Sequence, residues 1–238
     1  MKKLMKGNKA IAEAAIQAGC RAFFGYSVQE ACDFVQLAFE KAEKYRCPVF
    51  VLADAMIGQM METVEIKTVP PKPYDTSWAA RGWKDKSRPQ AVIASIHTPQ
   101  KLARVVQGLL DTYERMARED VMYETVDLEG AEYVFVAFGT MARLCLSAME
   151  KLRDKGIRAG LIRPQTLFPF PEKIIAQTAG LEGVKGVVVP ELNAGQMVYD
   201  VKLAVNGVKP VYSHKNLGSI MPSPAQLCEY VASLKEKR

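Results

Sequence analysis

Tyr133-Val134-Phe135-Val136-Ala137-Phe138-Gly139-Thr140 is the stretch on which the fold reading turns. Six apolar residues run unbroken into a glycine and a hydroxyl. Such a run suits a strand covered on both faces, as in a parallel sheet, with a turn into a helix at its end. The helix is predicted behind it, with Cys145, Ala148, Met149 and Leu152 at helical spacing and Gly156 as its stop. The same unit recurs downstream. Ile157 to Ile162 reads as a strand, followed by a proline-rich turn (Arg163 to Pro171) and a short helix over Glu172 to Ala179. Gly186 to Pro190 is the next strand, and the turn Glu191-Leu192-Asn193-Ala194-Gly195 leads to a helix striped by Met197, Val198, Val201, Ala204 and Val205. Val208 to Tyr212 reads as a last strand, and Pro224 opens a final helix with Leu227, Tyr230, Val231 and Leu234. Strand–helix repeats of this length imply one α/β domain with a parallel sheet from about residue 125 onward.

Upstream of it the texture is mixed. Asn8 is placed to cap a short helix (Ile11, Ala14, Ala15, Ala18) ended by Gly19, and Cys20 to Tyr26 reads as a short strand or loop. Ser27-Val28-Gln29-Glu30 has the form of a capping box opening a second helix, striped by Ala31, Phe34, Val35, Ala38, Ala42 and Tyr45. Pro48 to Ala53 is an apolar run that predicts a strand buried on both faces, with Asp54 at its end. The methionine-rich stretch after Asp54 reads as core or interface packing. Thr63 to Thr98 is rich in proline and poor in periodicity, a surface linker whose Trp78 and Trp83 are expected to dock on a neighbouring domain. Thr98-Pro99 then caps a long amphipathic helix with Leu102, Val105, Val106, Leu109, Leu110 and Tyr113 on one side.

Composition narrows the function classes. The 238 residues suffice for one large or two modest domains. No apolar run approaches the ~20 residues of a membrane helix. Met1 to Gly7 is basic with no apolar stretch or cleavage site behind it, so a cytoplasmic chain without a secretion signal is expected. The five cysteines are scattered without a C-x-x-C pair, which argues against a disulfide framework and against an iron–sulfur site in this chain. The net charge of +6 is interleaved with acids, as in Glu40-Lys41-Ala42-Glu43-Lys44, so solvated helix faces explain it better than a nucleic-acid surface. His97 and His214 are the only histidines, and neither has a nearby acid and nucleophile in a recognisable arrangement. No P-loop, dinucleotide fingerprint or H-E-x-x-H occurs. The candidate ligand positions are therefore the carboxyl ends of parallel strands: Gly139 and Thr140, and Glu191 and Asn193. Thr140 is placed to cap the following helix; on geometry alone, turns and caps explain these residues better than a ligand site does.

Some phrases are more specific. Met5-Lys6-Gly7-Asn8-Lys9-Ala10-Ile11-Ala12-Glu13-Ala14-Ala15, Ala18-Gly19-Cys20-Arg21 and Phe24-Gly25-Tyr26 resemble the opening of the α-type subunit of 2-oxoacid:ferredoxin oxidoreductases. Ser27 to Glu30, Phe39 to Val49 and Ile57-Gly58-Gln59-Met60-Met61-Glu62 resemble a later part of that subunit. The block from about Ala131 resembles its second domain. The Met-Lys-Gly-Asn opening and Ile-Gly-Gln-Met-Met-Glu point to the 2-oxoisovalerate (3-methyl-2-oxobutanoate) branch. The implied fold is a parallel-sheet, transketolase C-terminal-like α/β domain (125–238), preceded by a truncated Rossmann-like pyrimidine-binding remnant (1–62) and a linker with the long helix (63–124).

The resemblance also marks a departure. In the family, Gly-Tyr is followed by a proline and a Thr-Pro loop that touches substrate, and later by a glutamate that activates the aminopyrimidine of thiamine diphosphate. Here Gly25-Tyr26 runs straight into Ser27, an internal deletion near 26/27, so only Gly25 and Tyr26 remain as candidates from that region. The Gly-Asp-Gly signature that holds the diphosphate through a metal is also absent, as expected where a diphosphate-binding partner subunit supplies it. The resemblance implies an enzyme complex that decarboxylates a 2-oxoacid on thiamine diphosphate with Mg. It passes the acyl group to coenzyme A, and two electrons through iron–sulfur clusters on partner subunits (γ-type and small ferredoxin-like) to ferredoxin. The cofactors carry that chemistry. This chain is expected not to catalyse by itself, and no catalytic residue or metal ligand is named in it. An enzyme subunit and a non-catalytic α/β assembly module both fit the residues.

Overall fold

A computed structural model of the chain describes residues 3–6, 27–65, 98–218 and 220–236. The second half builds a five-stranded sheet in the order β3-β5-β4-β6-β7. Its strands are β3 (Tyr123–Val126), β4 (Tyr133–Val136), β5 (Ala159–Pro164), β6 (Gly186–Glu191) and β7 (Val211–Lys215). β5, β4, β6 and β7 run parallel, and β3 closes one edge antiparallel to β5, with Tyr123 opposite Pro164. The α/β fold with a mainly parallel sheet is thus as the apolar runs predict. The antiparallel edge strand was not foreseen.

Period-two alternation divides the core into two layers. Tyr133, Phe135 and Ala137 face α4 (Gly139–Asp154) and α7 (Pro224–Glu236), meeting Cys145, Met149, Leu152, Leu227 and Val231. Val134 and Val136 face the other way onto α5 (Glu172–Ala179) and α6 (Met197–Val205), meeting Ile175, Val198 and Val201. β4 is fully buried on both faces because helices cover both.

The first part is smaller. α1 (Val28–Tyr45) buries Val28, Ala31, Cys32, Val35 and Ala38, and α2 (Ala55–Gln59) follows Asp54. A two-stranded antiparallel pair joins β1 (Lys3–Lys6) to β2 (Met61–Val64). The capping box opening α1 is half formed. Ser27 Oγ accepts from Glu30 N at 3.1 Å, but the Glu30 carboxylate turns away to Arg163; Val28 N, the first N–H of the helix, donates to Glu62 Oε2 at 2.8 Å.

The run Pro48 to Ala53 corrects the sequence reading. It lies in no sheet. Val49 and Val51 pack on the α1 core, while Phe50 is 77% exposed and Leu52 projects alongside it. An apolar run becomes a buried strand only where neighbouring strands exist to receive it, and the described residues supply none here. α3 (Pro99–Glu119) is capped by Thr98 as expected, with Lys101 N donating to Thr98 Oγ1 at 3.4 Å. Its apolar side, however, faces solvent, and only Met116 is buried. His214 also departs from expectation. It lies within β7 rather than beyond it, half-buried with its ring edge-on to Tyr230 at 4.7 Å. No described helix is long and apolar enough to cross a membrane. The helix capped by Asn8, the segment Cys20 to Tyr26, His97 and the two tryptophans lie outside the described residues.

Candidate functional site: the switch-point crevice

β4 is the strand at which chain direction across the sheet reverses. The chain leaves β4 toward β5 on one side, returns past it to β6, and then continues outward to β7. Loops after β4 and β6 therefore diverge, and the gap between them at the carboxyl edge is where open α/β sheets receive ligands. The sheet brings four of the candidates to this gap: Gly139 and Thr140 after β4, Glu191 and Asn193 after its neighbour β6. Gly25 and Tyr26 lie outside the described residues.

Both helix N-termini at the crevice are filled from within the chain. α4 begins after Phe138, which offers no side-chain cap. Its Thr140 N–H donates instead to Asp54 Oδ2 at 2.9 Å. The other oxygen of that carboxylate accepts from Ile57 N at 3.0 Å and caps α2. One aspartate thus caps two helices, one from each part of the chain. Gly139 makes room for it: its φ is +56°, and a Cβ there would stand 2.9 Å from Asp54 Oδ2. Thr140 does not cap α4 through its side chain; its hydroxyl is buried with no hydrogen-bond partner among the described residues.

Glu191 serves α6 in the same way. It is 3% exposed, yet its carboxylate is saturated. It accepts from Gln196 N at 3.0 Å, Met197 N at 2.8 Å, Val198 N at 3.2 Å and Asn193 Nδ2 at 3.3 Å. Asn193 Oδ1 takes Gly195 N at 2.6 Å and holds the turn. A buried carboxylate at a helix start is stabilised by the free N–H groups and the positive end of the dipole.

Further polar bridges fix the first part against the second. Arg163, 6% exposed, donates to both oxygens of Glu30 (3.0 and 2.8 Å) and to Glu124 at 2.8 Å. Gln165 adds a bond to Glu30 at 3.0 Å. Arg143 of α4 reaches Glu62 at 2.5 Å, the same carboxylate that caps α1. Lys41 and Lys44 pair with Asp120. Sequence reasoning placed Asp54 at an element end but assigned it no partner, and it missed Glu62 and Arg163. No local pattern marks contacts between residues so far apart in the chain. The four described cysteines are free thiols, and burial pushes Cys32 up to about 11. No cluster of metal-ligating side chains occurs among the described residues.

Residues 8–130 match the family described as pyruvate flavodoxin/ferredoxin oxidoreductase, thiamine diphosphate-binding, and residues 131–227 match pyruvate:ferredoxin oxidoreductase core domain II. The chain belongs to the 2-oxoacid:ferredoxin oxidoreductases, as an α-type subunit. Among relatives of this oxidoreductase subunit, the ketoisovalerate oxidoreductase subunit VorB of Methanothermobacter marburgensis is 40% identical over 181 residues, 75% of this chain and 50% of that protein. The 2-oxoglutarate synthase subunit KorA of Methanocaldococcus jannaschii is 30% identical over 224 residues, covering 84% of this chain and 60% of its own length. The fold is similar to that of a 2-oxoglutarate:ferredoxin oxidoreductase from Magnetococcus marinus, solved with 2-oxoglutarate, coenzyme A and succinyl-CoA bound. The TM-score is 0.68 at 18% identity, over 89% of this chain and 41% of that one. The chain thus spans about half the length of the curated relatives it matches.

Proposed function

We propose that this chain is the α-type subunit of a branched-chain 2-oxoacid:ferredoxin oxidoreductase, entering its complex through the second domain and performing no chemistry alone. On this reading residues 1–62 are the remnant of a pyrimidine-binding domain with an internal break near 26/27, residues 63–124 are linker and helix, and residues 125–238 are the second domain. The likeness to the ketoisovalerate oxidoreductase subunits supports the branch, and the observation that carries the absence of chemistry in the chain alone is the filled crevice. Asp54 and Glu191 occupy the two helix N-termini where a diphosphate would find N–H donors. A diphosphate placed there would meet two carboxylates, and like charges at ~4 Å cost about 1–4 kcal/mol even in high effective dielectric. These two helix N-termini therefore do not fit a diphosphate.

Gly139, Thr140, Glu191 and Asn193 form the wall of the crevice rather than a ligand set. The diphosphate-binding partner subunit holds thiamine diphosphate and Mg. The γ-type and small ferredoxin-like subunits supply the remaining surfaces and the iron–sulfur clusters. Coenzyme A and the 2-oxoacid are substrates of the whole cytoplasmic complex.

A second reading, a non-catalytic assembly module of the same family, is favoured by the run Pro48 to Ala53, which stands in no sheet. Titration of the isolated chain with thiamine diphosphate and Mg2+ tests the shared claim. No saturable binding is expected, and a micromolar dissociation constant would overturn it. Co-purification with the diphosphate-binding subunit then separates the two readings: stable association alone suits the scaffold, and association with turnover suits the enzyme subunit.

A further inference from the structure

The outer face of α6 and the turns at its two ends carry a row of apolar side chains that the described residues leave in water. Tyr199 and Leu203 stand one turn apart on the helix, opposite its buried stripe of Val198, Val201 and Val205. Val208 lies just past the C-terminal end, its N–H donating to Val205 O at 3.1 Å. Leu217 lies near the other end. Its neighbour Asn216 donates from N, at 3.0 Å, to the carbonyl of Glu191, whose carboxylate takes the first N–H groups of α6. Ile220 N closes a turn onto Leu217 O. All five side chains are between 60% and 77% exposed. Single exposed apolar residues are ordinary, but five along one helix make a patch. Three lysines are interleaved with them. Lys202 Nζ lies over the Tyr199 ring at 5.7 Å, Lys209 follows Val208, and Lys215 Cε would stand 3.4 Å from a Cβ at Gly195, in the turn into α6. None of the three enters an ion pair among the described residues, and Asp200 is the only acid from Gln196 to Leu217.

We propose that this face receives the small ferredoxin-like subunit of the complex. The proposal rests on the reading of the chain as an α-type subunit that enters its complex through the second domain, and names the surface it uses. Charge favours this occupant. An apolar centre ringed by unpaired lysines complements an acidic surface, and clusters held by thiolates bring negative charge to a small chain. A second copy would instead set the same lysines against each other. Size agrees. The five side chains expose roughly 600 Å², below the ~800 Å² per partner of a standard interface and in the smaller class that redox partners use.

Calorimetric titration of the full chain with the isolated small ferredoxin-like subunit of a branched-chain enzyme tests it, with the diphosphate-binding subunit titrated in parallel. Saturable binding of the ferredoxin-like subunit is expected, weakening about tenfold as salt rises from about 50 to about 300 mM. Leu203→Glu, at an exposed position, is expected to weaken it by about tenfold or more with the circular dichroism spectrum unchanged. Lys202→Glu combined with Lys209→Glu keeps the test sharp if that variant misfolds: a similar loss is expected, with a shallower dependence on salt. Neither variant should alter binding of the diphosphate-binding subunit. Ferredoxin-like subunit binding that both variants leave intact would overturn the inference. So would its absence while the diphosphate-binding subunit still binds, or a loss of the diphosphate-binding subunit in the same variants. The reading of the chain as a subunit survives all three results. If neither subunit binds, that reading falls and the inference falls with it.

Discussion

Asp54 Oδ2 lies 2.9 Å from the backbone N of Thr140, across 86 residues of chain, and so ties the first part of the protein to the start of a helix in the second. The same oxygen stands 2.9 Å from the place a Gly139 Cβ would occupy. Asp54→Ala removes the caps of two helices, and each cap is worth typically ~1 kcal/mol. A loss of about 2 kcal/mol in urea unfolding is expected, with Asp54→Asn retaining about half. Gly139→Ala combines a left-handed backbone with that clash and is expected to cost about 1–3 kcal/mol. If both variants unfold at the wild-type midpoint, the cap is not formed in solution.

Arg163 is the most committed ion of the junction, nearly buried between Glu30 and Glu124. Removing one partner of a buried pair strands the other, at a cost of about 3–5 kcal/mol. Glu30→Ala should fall below that range, because Glu124 stays beside the guanidinium on its more exposed side. Arg163→Met removes the charge outright and leaves Glu30 its bond from Gln165. A double-mutant cycle of Arg163→Met and Glu30→Ala should report a coupling of about 1–3 kcal/mol. Additive single effects would show that the two side chains do not meet.

Glu191 receives three consecutive N–H groups of the α6 start from a site almost closed to water. Glu191→Ala leaves those donors without their acceptor, and an unsatisfied buried group costs about 1–3 kcal/mol. Amide exchange at Met197 and Val198 should rise in the variant before exchange in β4 does. Unchanged protection there would contradict the capping role.

His214 gives the fold a dependence on pH. Burial holds its pKa below the ordinary 6.5. The folded state thus binds the proton less readily than the unfolded state, and stability falls as pH drops below 6.5 toward the folded value. Above that ordinary value the group contributes no slope. Urea midpoints measured between about pH 8 and about pH 5 should decline on the acid side in wild type, and that slope should be smaller in His214→Gln. Equal slopes would mean that the imidazole is solvated.

The second domain was legible because its signals are local. Runs such as Tyr133 to Phe138 are apolar throughout since helices cover both faces, and upstream of that domain the Thr98 cap was legible for the same reason, acting within three residues. The edge strand Tyr123–Val126 escaped because its alternating, largely exposed residues carry no comparable run. Pro48 to Ala53 misled for the opposite reason: its composition is that of a buried strand, but sheet membership depends on neighbours, not on the segment itself. The switch-point turns could be placed from strand ends. Their occupancy by Asp54 could not, nor could the pairing of Glu30 with Arg163, because side chains that meet over such separations leave no periodic trace. Glu30 was legible as the far end of a capping box, and a stronger, charge-assisted partner took its carboxylate instead.

The most direct test mixes this chain with the diphosphate-binding, γ-type and small ferredoxin-like subunits of a branched-chain enzyme, and follows thiamine-dependent reduction of ferredoxin with 2-oxoisovalerate and coenzyme A. With a full-length α-type subunit as the reference, this chain is expected to yield no reduction above the rate of the mixture lacking any α-type subunit. Reduction at a rate comparable with the full-length subunit would contradict the account.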